Sequence, residues 1–161
     1  MIMKRLVVSF LIGLALFYPM LGWAHDYTEG NFKITHPWAR FTPPGSPNGA
    51  AYLVIENKGA TPDRLIGAVT PRAAKVEIHG HEMTDDVMSM RQREAVDLPP
   101  NESVTFETGG LHLMLIKLTA PLKEGERFPL TLKFEKGDDI TVDIAVERGV
   151  EVKMDQHHQM E

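Results

Sequence analysis

Phe128, Leu130, Leu132 and Phe134 are separated by single residues, and so are Ile140, Val142, Ile144 and Val146. Strict alternation puts these apolar side chains on one face of an extended strand. The Lys136-Gly137-Asp138 turn between the two runs makes them a hairpin. The rest of the chain is punctuated in the same way, by 11 prolines and 13 glycines. Ala51 to Glu56, Leu65 to Val69, Ala74 to His79, Val87 to Arg93, Ser103 to Phe106 and Leu111 to Ile116 all read as short strands between turn signals. Phe32 to Phe41 reads as two short strands that meet at Pro37, because proline cannot donate in a ladder. No stretch has convincing helical periodicity. So many short strands in one chain predict an all-β antiparallel fold, a Greek-key sandwich or barrel.

The N-terminus lies outside that scheme. Lys4 and Arg5 precede a nearly pure apolar run from Leu6 to Phe17, and Gly22-Trp23-Ala24 is a small-x-small cleavage signal. Residues 1–24 therefore read as a secretory signal peptide, too short for a comfortable membrane span. Cleavage after Ala24 leaves 137 of the 161 residues. They comprise one domain over residues 25–147 and a polar tail over 148–161. This predicts an exported, periplasmic protein with no stable membrane insertion after cleavage. Loss of Lys4 and Arg5 takes the formal charge from −5 to about −7, which argues against nucleic acid as a partner.

Cysteine is absent. That excludes disulfides, thiol nucleophiles and a blue-copper site, whose short bond needs a thiolate. The methionines carry more information. Beyond the leader they occur only at Met83, Met88, Met90, Met114, Met154 and Met160. Core filler would be scattered, whereas these cluster with histidine.

In the Leu111 to Ile116 strand, Leu111, Leu113 and Leu115 face the core. His112 and Met114 share the other face, about 7 Å apart at Cα. His79 faces away from the core at the end of its strand, and Met90 follows across a turn near Thr84-Asp85-Asp86. A hairpin there brings His79 and Met90 together at its base. Thioether and imidazole suit soft copper(I) and survive an oxidising compartment, while a methionine-rich set fits zinc poorly. The residues predict a soft-metal site at His79, Met90, His112 and Met114.

The order His79-x10-Met90-x21-His112-x-Met114 resembles the signature of the PCuA(C) family of bacterial periplasmic copper chaperones. HPWAR (His36 to Arg40), GAAYL (Gly49 to Leu53), VEIH (Val76 to His79), GGLHLML (Gly109 to Leu115) and PLKEGERFPLTLKFE (Pro121 to Glu135) also resemble that family. The resemblance implies a cupredoxin-like fold and an exposed copper(I) site, with no catalysis. It also implies delivery of copper to the dinuclear CuA centre of cytochrome c oxidase subunit II, or to another periplasmic acceptor or donor protein.

Met83 and Met88 read either as auxiliary metal donors or as a rim that docks a partner. His81 reads as a solvated turn residue, with an auxiliary ligand role as the alternative. His36 and Trp38 read as packing residues. Met154, His157, His158 and Met160 in the tail resemble the His/Met extension of some family members, which implies a second, looser site, with copper(II) as a candidate ion. Two other functions remain open. One is a periplasmic copper storage or resistance protein. The other is a copper(II) enzyme that uses His25 once cleavage makes it the first residue. No Ser-His-Asp order, paired-carboxylate motif or phosphate loop stands out, and Asp85 and Asp86 read as turn residues.

Overall fold

The computed structural model describes residues 26–84 and 87–149. The leader, His25, the Asp85-Asp86 turn, and the tail donors Met154, His157, His158 and Met160 lie outside the described residues, as do the side chains of residues 82–88, Met83 and Met88 among them. The described chain is all β, with no helix. Its strands are β1 (Tyr27–Glu29), β2 (Phe32–Arg40), β3 (Asn48–Asn57), β4 (Asp63–Val69), β5 (Ala73–Thr84), β6 (Val87–Arg93), β7 (Val96–Leu98), β8 (Glu102–Phe106), β9 (His112–Leu118), β10 (Arg127–Phe134) and β11 (Ile140–Glu147).

The neighbour order is β6-β5-β9-β3-β2-β11-β10-β4-β7, with β1 on β2 and β8 on β3. Every pair is antiparallel except β2 with β11, which run parallel over Trp38–Arg40 and Ala145–Glu147. The predicted all-β, mainly antiparallel class holds, with that one parallel pair. The strand count also rises, because β1 and β7 have only three residues each. Three residues are too few to show a period.

The alternating runs behave as predicted. Phe128, Leu130, Leu132 and Phe134 are buried, as are Ile140, Val142, Ile144 and Val146. They meet Ile34, Leu53, Ile55, Leu65, Leu98, Leu113 and Leu115 in one core. At one end of the core Asn57, 1% exposed, joins separate parts of the chain. Its amide nitrogen donates to the carbonyls of Leu98 (2.9 Å) and Thr61 (3.0 Å), and its oxygen accepts from the Gly59 amide (2.9 Å).

One expectation about β2 fails. Phe32 to Phe41 is not two strands meeting at Pro37 but a single strand with a register shift between Thr35 and Trp38. His36 takes the break, with φ of +48°. An extra residue at a bulge lets a proline sit inside a strand without costing a ladder bond.

Candidate metal centre

β9 lies inside the sheet, paired with β5 on one edge and β3 on the other. Leu113 and Leu115 point into the core at 0% exposure. The opposite parity therefore carries His112 and Met114 together, as the alternation predicted. His79 on β5 lies directly opposite His112, and Glu77 opposite Met114. On the other edge Ala50 of β3 lies opposite Met114. A methyl group there leaves the thioether room.

The His79 and His112 ring centroids are 5.7 Å apart, at 57°. An imidazole nitrogen binds a d10 ion at about 2 Å, so two rings on one ion have centroids within about 6 Å. The two rings therefore fit a shared ion as they stand. His112 Nδ1 lies 3.0 Å from the Gly110 carbonyl. A carbonyl only accepts, so Nδ1 carries the proton and Nε2 presents its lone pair. His79 Nε2 lies 2.8 Å from Glu77 Oε2. By the same reasoning His79 presents Nδ1. Lys75 Nζ is 2.7 Å from the other Glu77 oxygen. That ammonium, followed by His79, holds the Glu77 carboxyl below its ordinary value, so it is ionised at neutral pH.

Met90 lies near His79, as the hairpin reading expected, but does not face it. In the β5–β6 ladder His79 faces Gln92, and Met90 faces His81. Met90 is therefore diagonal to His79, one rung further out, and is 52% exposed. His81 is correspondingly a strand residue of β5, not a turn residue. Met83 faces Met88 on the next rung. His112 departs in another way. Its expected site is exposed, yet it is 6% exposed, with the Tyr52 ring 6.5 Å away on one side and His79 on the other.

Sequence reasoning missed two residues of this centre, Glu77 and Tyr52. Both share parity with a recognised neighbour. Glu77 sits two residues before His79 on one strand, and Tyr52 two residues after Ala50. The Tyr52 ring also packs against Trp38, tilted by 35° at 4.6 Å, so Trp38 packs as expected. His36 stays apart, exposed and 3.6 Å from Glu147.

Among the described residues, no three His, Cys, Asp or Glu side chains come together to hold a metal ion. Beside the two imidazoles on this face stands Met114, with Met90 diagonal to His79 on the neighbouring strand. That donor set is soft and suits a monovalent d10 ion.

Known proteins share this architecture. A family model described as "Putative lipoprotein LpqE-like" matches residues 32–146. "Putative lipoprotein Lxx21020" of Leifsonia xyli subsp. xyli is 24% identical over 137 residues, which cover 84% of this chain and 81% of its own. The copper-bound PCuAC domain from PmoF2 is 33% identical with a TM-score of 0.67; the match covers 78% of this chain and 99% of that one. Copper(I)-bound DR1885 from Deinococcus radiodurans is 29% identical with a TM-score of 0.57, over 80% of this chain and 84% of its own. The chain belongs to the LpqE-like family, the family of the PCuAC domains.

Proposed function

We propose that this protein is an extracytoplasmic copper(I) carrier that binds its ion through His79, Met90, His112 and Met114 and passes it to an acceptor. The observation that carries this reading is the His79–His112 pair. Each ring has one nitrogen tied down and the other free, on a face that also carries Met114 and Met90. The copper named in the titles of the PmoF2 and DR1885 structures supports the choice of ion. The lipoprotein description of the Leifsonia relative supports a place outside the cytoplasm, as does the leader-like stretch over residues 1–24.

The cargo leaves by ligand exchange. Met114 borders a shallow groove lined by Arg40, Phe41, Pro43 and Ala50, from which an acceptor's donors can approach. The exposed Met90 is the ligand that exchanges first. The acceptor we propose is the CuA site of cytochrome c oxidase subunit II. The tail residues Met154, His157, His158 and Met160 form a looser second site, for copper(II).

Copper(I) competition titration of the chain without its leader tests the assignment. Met90→Ala with Met114→Ala should weaken binding by at least about a hundredfold, since the remaining set is two imidazoles. Unchanged binding overturns the assignment. A storage protein of similar donor chemistry would keep its ions when mixed with an apo CuA domain, whereas a carrier loses them.

A further inference from the structure

The rings around His112 continue away from the metal face. The Tyr52 ring centroid lies 6.5 Å from that of His112, and the Trp38 centroid 4.6 Å from that of Tyr52. His36 follows at 6.1 Å. The register of β2 on β3 builds this line, because Trp38 stands directly opposite Tyr52. Exposure grows along it. Tyr52 is buried, Trp38 is half-buried and His36 is exposed. The line ends in an open cleft whose walls include His36, Trp38 and Arg40.

Filling the core does not account for these rings. Ala51, Leu53 and Ile55 take the core side of β3, and Tyr52 stands on the opposite parity. Trp38 is likewise not a core residue. Composition narrows the reading. Tryptophan and tyrosine are the rings that give up one electron most readily, whereas phenylalanine holds its electrons far more tightly. Beyond the leader the chain has Tyr27, Trp38 and Tyr52 and no others of these two types. Two of the three stand in line with the histidine pair. A thioether site also has a chemical weakness. Oxidation of methionine to the sulfoxide removes a soft donor, and the chain has no cysteine to take the damage instead. Copper(I) sharpens the risk, because it reduces hydrogen peroxide beside its own ligands.

We propose that Tyr52 and Trp38 form an electron relay that draws a peroxide-derived oxidising equivalent away from Met114, Met90 and the two imidazoles and leaves it at the surface. This rests on the assignment of the site to copper(I). One hydrogen peroxide, one copper(I), the Tyr52 phenol and one solvent proton give two waters, copper(II) and a neutral tyrosyl radical. The O–O bond breaks. Copper and the phenol supply one electron each, and the phenol proton goes to water. Trp38 then passes one electron to the tyrosyl, which takes up a proton as the indole N–H loses one. Tunnelling slows steeply with distance, so two short ring-to-ring steps outrun one long jump from the metal face to Trp38.

The test uses the chain without its leader, loaded anaerobically with one equivalent of copper(I) and mixed with hydrogen peroxide. Freeze-quench electron paramagnetic resonance reads the radical, and peptide mass spectrometry reads sulfoxide at Met114 and Met90. The parent chain should give a tryptophanyl signal. Trp38→Phe should hold the radical on Tyr52 and turn the signal into a tyrosyl one. Tyr52→Phe should remove most of the aromatic signal and raise Met114 sulfoxide severalfold. Tyr27→Phe should alter neither reading. No aromatic radical from the loaded chain, with or without sulfoxide at Met114, overturns the relay and leaves the metal site standing. So does a Tyr52→Phe chain whose Met114 oxidises no faster than the parent's, or a Tyr27→Phe chain that loses the signal. Loading that is insensitive to Met90→Ala with Met114→Ala overturns the metal site instead, so the two failures are distinct.

Discussion

Glu77 shows how much a single carboxylate sets at the residue scale. Bonded to Lys75 and His79 at once, it fixes which ring nitrogen of His79 is left over for the proposed ion. Gly110 does the same for His112 through its carbonyl. Partners that orient a metal-binding imidazole are worth about 10–100-fold in metal affinity. Glu77→Ala should therefore lower copper(I) affinity by about that factor, and 15N spectra should show His79 passing from one tautomer to a mixture. Lys75→Ala should do far less, because the Lys75 side chain is 61% exposed and its pull is screened. Copper(I) competition on the two variants checks the order. Equal losses would show that the ion pair, rather than the carboxylate bond to the ring, orients His79.

On the proposed reading, the strands divide the work of holding and releasing. β9 is bonded along both edges, so His112 and Met114 are carried on a rigid element, while Met90 rides on an edge strand. Another element, β2, absorbs an irregularity so that Trp38 can face Tyr52. At +48° His36 occupies a region that costs a β-branched residue dearly and asparagine little. His36→Val should cost about 1–2 kcal/mol in urea unfolding, and His36→Asn should be near neutral. Equal destabilisation by both would place the cost in the lost imidazole instead. The sequence marked this spot through Pro37 but read it as an interruption. Proline announces only that a ladder bond is missing. Whether the strand then stops or bulges depends on partners that lie elsewhere in the chain, here Tyr52 of β3 and Ala145 of β11.

Across the whole molecule, the core and the metal face are separate by parity: leucines point in, donors point out. Damage to one should spare the other. Asn57 offers a clean case, because it sits among the buried groups and holds two carbonyls and an amide from different segments. Asn57→Ala takes this partner from the buried Leu98 carbonyl and Gly59 amide, at about 1–3 kcal/mol for an unsatisfied buried group. Chemical denaturation should register that loss, while copper(I) affinity at 25 °C should stay within about twofold of the parent. A comparable fall in affinity would mean that the two faces are coupled. The all-β class, the β10–β11 hairpin and the shared face of His112 and Met114 were legible in the sequence. Period-two alternation is a local property, written in a few adjacent residues. The same locality made the donor types legible, since softness belongs to the side chain itself. The partner across each strand was not legible. That His79 meets His112, that Met90 faces His81 and lies diagonal to His79, and that Tyr52 and His79 cover His112 all depend on register. Register is set by turn length and by packing between strands far apart in the chain, so tertiary structure alone decided it.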